Sequence, residues 1–188
     1  GIYACVEHEF SGATDNSPGA NLFDEIYSFE DVRKLQKTCD RIIVLYHGGT
    51  EEYRYPSPLL QKTCRRFVEC GADLVVCQHS HCIGCEEHYK DKTIIYGQGN
   101  FLFDWRDNEF WNTGMLISIS ISEEWKIDYI PVVKEKEKVR CANNSEKEKI
   151  LKDYFERSKE IMKPGMVEQL YKEYVSLYLI DYLWTISG

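Results

Sequence analysis

The sequence has no surplus of basic residues: 23 Lys and Arg face 31 Asp and Glu, a formal net charge of −8 over 188 residues. Broad electrostatic docking on nucleic acid or anionic lipid needs a cationic surface, so neither is expected as a partner. No stretch approaches the ~20 consecutive apolar positions of a membrane-spanning helix, and no signal-peptide core opens the chain. Membrane insertion within these residues is therefore not expected. An initiating Met is also lacking. The chain starts Gly1-Ile2-Tyr3-Ala4-Cys5-Val6, already inside a strand-like run, and so reads as a piece of something longer. Internal repeats and low-complexity tracts are absent. What is present is enough for one real core: 43% hydrophobic and 13% aromatic residues argue against disorder.

A second C-x-x-C pair is lacking too. Eight cysteines invite a zinc or redox reading, because Cys77, Cys82 and Cys85 surround two histidines and Cys82-Ile83-Gly84-Cys85 is a C-x-x-C. A structural zinc centre usually draws on two such ligand pairs. The other cysteines (Cys5, Cys39, Cys64, Cys70, Cys141) are scattered, and three fall near apolar positions of predicted helices, where cysteine behaves as a small hydrophobe. Buried reduced thiols are the reading adopted. They favour a cytoplasmic compartment, although a longer parent could be membrane-anchored or exported.

Apolar, β-rich runs predict strands at 2–6, 41–46, 73–77, 93–97 and 101–103. Ser28, with Asp31 three residues on, predicts a capped helix to about Thr38. Ser57-Pro58 predicts a second helix, stopped by Gly71. Residues 114–121 alternate Met115, Ile117, Ile119 and Ile121 with serines, as a half-exposed strand does, and 127–133 can pair with them through a turn at Glu123-Glu124. From Lys134 the character changes. Ser145 and Glu148 read as a capping box for a charged helix to about Met162; Lys163-Pro164-Gly165 breaks it, and a last helix runs to about Ile186 with apolar residues on more than one face. That helix either packs internally or offers a partner surface. The prediction is an α/β fold with a mixed sheet, flanking helices, an antiparallel hairpin and a C-terminal helical extension, divided as 1–133 and 134–188.

Three apolar strands deliver polar residues at the same end. Ile42–Tyr46 leads into His47-Gly48-Gly49; Leu74-Val75-Val76 into Gln78-His79-Ser80-His81; and Thr93–Tyr96 into Gly97-Gln98-Gly99-Asn100. Open α/β sheets place their ligands at such strand ends, and an H-x-H pair can serve one transition-metal ion or two adjacent ones. The two glycines after His47 let backbone approach a ligand closely. Asn100 either contacts substrate, fixes a histidine tautomer, or simply shapes a turn. His8 and Glu9, at the end of the first strand, and Asp104, beside Arg106, are candidate cleft-lining residues. Glu87 is either a substrate-facing charge or part of a solvated loop. Arg65-Arg66 reads as the outer face of a helix.

The segments IIVLYHGG, YPSPLLQKTCRRFVECGADLVVCQHSH and IIYGQGNFLFD, in that order, resemble the second half of a CapA-type protein. That family is named for capsule poly-γ-glutamate synthesis and is related to the calcineurin-like metallophosphoesterases. Cys77-Gln78 stands where relatives usually carry Gly-His, so only His79 and His81 carry over as the GHxH-like pair. The resemblance implies a dinuclear centre of divalent ions (Mn, Fe or Zn; two in the intact protein), with His47 and His79 on one ion and His81 on the other or on a phosphate. Within this likeness His81 and Asn100 are the candidate catalytic residues, and Glu87 falls on a position the family tends to keep acidic. The superfamily's carboxylate motifs precede the first His motif, and neither Asp15 nor Asp24 matches them. The expectation is therefore half a metal centre, completed by a missing N-terminal half or by self-association.

Three functions fit these observations. One is a metal-dependent hydrolase acting on a phosphate, amide or polyglutamate-related substrate. Another is a non-catalytic cleft for an anionic polymer or envelope precursor. The third is an assembly module using the C-terminal helices.

Overall fold

The computed structural model describes residues 1–7, 12–103, 108–121 and 125–187, with the side chains of 180–187 left aside. In chain order the elements are β1 (Ile2–Val6), α1 (Tyr27–Gln36), β2 (Ile43–His47), α2 (Pro58–Glu69), β3 (Leu74–Gln78), β4 (Glu86–Tyr89), β5 (Lys92–Tyr96), β6 (Thr113–Ile121), β7 (Trp125–Glu135), β8 (Lys138–Cys141), α3 (Asn144–Ile161) and α4 (Met166–Ser187). The fold is α/β with a mixed parallel and antiparallel sheet, a second antiparallel sheet and C-terminal helices.

The first sheet has the order β1-β2-β3-β5-β4, in which the first four strands are parallel and β4 runs antiparallel to β5. Its central strands are apolar without interruption because both faces are covered. Val44, Tyr46, Val75, Cys77, Ile94 and Tyr96 join Val32 of α1 and Phe67 of α2 in one cluster. Leu74, Val76 and Ile95, on the opposite face, meet Ile117, Ile119, Ile127 and Tyr129 of the second sheet. That sheet is the predicted hairpin, with β6 and β7 antiparallel in the register Ile117↔Tyr129 and Ile119↔Ile127. The turn at Glu123-Glu124 lies outside the described residues. Helix α3 closes one end: the phenol of buried Tyr154 reaches Glu86 Oε2 at 3.2 Å, and Glu86 N–H donates to Ser158 Oγ at 2.9 Å.

Ser57 caps α2 as expected, its hydroxyl accepting from Leu60 N–H at 3.1 Å with Pro58 in the first turn. Two other caps shift. Helix α1 begins at Tyr27, and the Asp24 carboxylate accepts from the N–H groups of Ile26 and Tyr27 at 2.8 Å each. Ser28 is buried and its hydroxyl accepts from Asp24 N–H; an ionised carboxylate is the stronger acceptor for free first-turn amides. Helix α3 is capped by Asn143 with Glu146, in a reciprocal box, rather than by Ser145 with Glu148. The predicted strand at 101–103 does not form. Phe101, Leu102 and Phe103 are exposed in an irregular segment and pair with no strand. Two strands escaped the sequence reading, β4 and β8. EEHY is nearly all polar and KVRC alternates over only four residues, too short a signal by itself, so pairing with β5 and β7 makes them strands. In α4 the first turns pack, with Val167 buried and Tyr174 4.3 Å from the Tyr53 ring, while Leu177 and Tyr178 are exposed.

Candidate functional site

Because β2, β3 and β5 are parallel and in register, Tyr46, Cys77 and Tyr96 stand side by side and the chain leaves all three strands at one edge. The predicted site residues on those exits come together there. His79 Nδ1 lies 3.2 Å from His47 Nε2, and the imidazoles of His79 and His81 are 6.0 Å apart between centroids. A cavity of about 420 Å³ opens beside them, with His47, His79, His81 and Asn100 on one side and Phe103, Met115 and Val132 on the other.

The loop carrying the imidazoles is held in an uncommon backbone conformation. His79 (φ 88°) and His81 (φ 54°) both lie in the left-handed region, where a residue with a Cβ costs on the order of 1–3 kcal/mol. Three bonds over-determine it: Glu52 N–H to Ser80 O at 2.8 Å, Ser80 Oγ to Cys82 O at 3.2 Å, and Asn100 Nδ2 to His81 O at 3.1 Å. The last bond fixes the Asn100 amide, since only its NH₂ group can donate to a carbonyl. Its oxygen must then face His81 Nδ1, 2.8 Å away, so Nδ1 carries the proton and Nε2 keeps its lone pair. This geometry fits the tautomer-fixing role among the three expected for Asn100.

Carboxylates occur nearby, at positions the sequence reading passed over. Glu51 Oε1 stands 3.9 Å from His79 Nε2, beyond hydrogen-bond reach but well within electrostatic reach. Glu7, at the end of β1, accepts from Gly49 N–H at 2.9 Å. It thereby shapes the turn after His47, where Gly49 has φ 118°; this glycine serves the chain's own turn. Glu52 Oε1 accepts from Trp111 Nε1 at 2.6 Å, and the Trp111 ring stacks on His81 at 4.4 Å and 18°. The signal for Glu51 and Glu52 was their position four and five residues after His47, on a chain that glycines turn back toward the strand edge.

Several expected residues are elsewhere. Glu87 is neither substrate-facing nor on a solvated loop: it lies on β4, is 2% exposed, and is absent from the cavity walls. Its carboxylate accepts from Arg65 Nη2 at 2.5 Å and Nε at 2.8 Å, from Tyr96 Oη at 2.7 Å and from Gln61 Nε2 at 3.2 Å. Arg65 therefore turns inward against the expectation, while Arg66 stays outside, paired with Glu69 at 3.0 Å. Glu87→Ala would leave four donor groups, on Arg65, Tyr96 and Gln61, without their acceptor. Breaking such a pair typically costs about 3–5 kcal/mol; because the Arg65 side chain is 39% exposed, we expect a loss of about 3 kcal/mol in urea unfolding.

Asp24 serves as a helix cap and Asp15 is an exposed loop residue. His8, Glu9, Asp104 and Arg106 lie outside the described residues. All eight cysteines are free thiols. Cys82 and Cys85 are fully buried; burial pushes the Cys82 thiol up to about 11 and that of Cys85 well above its ordinary value. A buried neutral thiol is a poor metal ligand and a poor nucleophile. Among the described residues, no three His, Cys, Asp or Glu side chains form a group set to hold an ion.

Comparison with known proteins finds the same region. The family profile described as bacterial capsule synthesis protein PGA_cap matches residues 5–105, which include all three strand exits. The capsule biosynthesis protein CapA of Bacillus anthracis is 33% identical over 96 residues, covering 49% of this chain and 23% of that protein. The PGA biosynthesis protein CapA of Bacillus subtilis (strain 168) is 30% identical over 92 residues, covering 49% of this chain and 24% of that protein. The matched region thus spans about a quarter of the length of these curated relatives.

Proposed function

The chain belongs to the PGA_cap family of bacterial capsule synthesis proteins, and on that premise we propose that its histidine edge is part of a metal-dependent hydrolytic site, phosphoesterase-like in its chemistry, serving capsule or poly-γ-glutamate metabolism. The observation that carries the reading is the 3.2 Å separation of His47 Nε2 and His79 Nδ1. Two nitrogens on one divalent ion, with bonds of about 2.0–2.1 Å, stand about 3.0–3.4 Å apart, so the pair fits a shared ion. The Glu51 carboxylate, 3.9 Å from the other nitrogen of His79, adds negative charge beside the pair, which favours a cation there. Two ligands are not a complete set. The remaining donors, and a second ion of the Mn, Fe or Zn type, are proposed to depend on residues other than those described.

When bound, a divalent ion supplies Lewis acidity and lowers the pKa of a water held on it. The chain's own residues do the rest. His47 and His79 present imidazole nitrogens at a separation of 3.2 Å. His81, with its proton held on Nδ1 by Asn100, offers the Nε2 lone pair to the cavity, where it accepts a proton or hydrogen-bonds a substrate oxygen. The apolar wall of Met115 and Val132 limits water around that point.

The incomplete ligand group among the described residues favours one alternative, a cleft that binds an anionic polymer without turning it over. Hydrolysis of a chromogenic phosphate monoester with and without Mn²⁺ separates the two. Once the remaining donors are supplied, metal-stimulated turnover that disappears in His79→Ala is the expected result. Polymer binding indifferent to metal and to His79→Ala, with no turnover, would establish the alternative instead.

A further inference from the structure

We infer that Trp111, anchored by Glu52, is a positioning residue for His81, so that the site depends on an indole about thirty residues further along the chain. The inference rests on the reading of His81 as a site residue, and the geometry behind it is a closed circuit. The Trp111 ring lies nearly parallel to the His81 imidazole, at 18° and 4.4 Å. Its Nε1–H donates to Glu52 Oε1 at 2.6 Å. Glu52 N–H in turn donates to the carbonyl of Ser80, the residue before His81, at 2.8 Å. One glutamate therefore ties both the backbone that delivers His81 and the ring that covers it.

Each link has a physical purpose. Asn100 fixes which nitrogen of His81 is protonated, but one hydrogen bond in line with a ring leaves rotation of its plane weakly restrained. A parallel indole face restrains that rotation and excludes water from one side of the imidazole. Trp111 is only 1% exposed, and its own N–H donates to Asn108 Oδ1 at 3.0 Å, so the indole is held at both its backbone and its ring nitrogen. Phe103 completes a three-ring cluster, 5.0 Å from His81 and 5.2 Å from Trp111. The result directs Nε2, the nitrogen with the lone pair, along one line. Supporting residues of this kind typically change metal affinity or activity by about 10–100-fold.

The test is ¹⁵N NMR on metal-free chain with labelled histidine, at about pH 8.5, above the ordinary imidazole range of about 6.5, alongside Mn²⁺ titration calorimetry. In the parent, the two His81 ring nitrogens should be sharp and widely separated, as in a single tautomer. In Trp111→Ala and Glu52→Ala they should broaden and move toward each other, while Mn²⁺ affinity, which rests on His47 and His79, should stay close to the parent's. Trp111→Phe should lie between, and Glu52→Gln, which keeps an acceptor oxygen, should restore most of the parent spectrum. A purely structural role would lower the melting temperature without moving the His81 nitrogens. Folded Trp111→Ala or Glu52→Ala chains with parent-like His81 signals would overturn the inference; if Trp111→Ala does not fold, Glu52→Ala decides. A parent chain that binds no Mn²⁺, with His81 signals altered in the variants, would uphold the positioning role and count against the proposed metal chemistry.

Discussion

His79→Ala is expected to weaken Mn²⁺ or Zn²⁺ binding at least about 100-fold, roughly 2.7 kcal/mol, and His47→Ala by a similar factor. Each change removes one nitrogen of a pair that stands 3.2 Å apart, and the remaining imidazole is then a lone ligand on a solvated edge. The effect should be larger for His79, because its loss also frees the Glu51 carboxylate from the imidazole it faces at 3.9 Å. Cys82→Ser and Cys85→Ser supply the contrast. Both thiols are sealed from solvent and held neutral by burial, so metal content should stay close to the parent's even though stability drops. Elemental analysis of equilibrated protein, with calorimetric titration, reads both arms. Metal lost in the cysteine variants and retained in the histidine variants would mean that the ion sits in a zinc knuckle, and the proposed site would be wrong.

Gly84→Ala is expected to be the most damaging single-methyl change, with a loss of at least about 4 kcal/mol or a failure to fold. A Cβ at Gly84 would stand 1.7 Å from the carbonyl oxygen of Tyr96 and 2.7 Å from its carbonyl carbon. Both are backbone atoms of a central strand, so no rotamer change can relieve the overlap. Gly84 N–H also donates to Gly97 O at 3.2 Å, and the Gly84 carbonyl accepts from Arg157 Nε at 2.9 Å. The methyl group would therefore push apart the histidine loop, the exit of β5 and helix α3 together. Thermal unfolding followed by circular dichroism is the measurement. Gly165→Ala is the control, since nothing lies within 4 Å of a Cβ there, although its φ of 74° still disfavours alanine. A Gly84→Ala chain as stable as the parent would show that the loop and β5 can separate without cost.

The sequence by itself determined the three strands that lead to His47, to His79 and His81, and to Asn100, and the edge at which they end. Uninterrupted apolar runs such as Leu74-Val75-Val76, each stopped by polar residues and glycine, have few other solutions in a sheet covered on both faces. It also determined the hairpin of β6 and β7, through strict alternation, and the cap of α2 at Ser57. From those, His47, His79, His81 and Asn100 could be placed together before any coordinates.

Tertiary structure decided the rest, because the deciding interactions join residues whose own neighbours say nothing about them. Strand β4 is polar in sequence and becomes a strand through its ladder to β5; the same pairing carries Glu87 inward to Arg65 and Tyr96, although an acidic residue between polar neighbours reads as solvated. Ser28 and Ser145 look like caps, but both helices start upstream of them, where Asp24 and Asn143 accept from the free amides of Tyr27 and Glu146. Glu51 near His79, and Trp111 against His81, join segments separated by 28 and 30 positions in the numbering. No local periodicity encodes such a meeting; it follows from the left-handed turns at His79 and His81, which hydrogen bonds from Glu52 and Asn100, distant in the chain, hold in place.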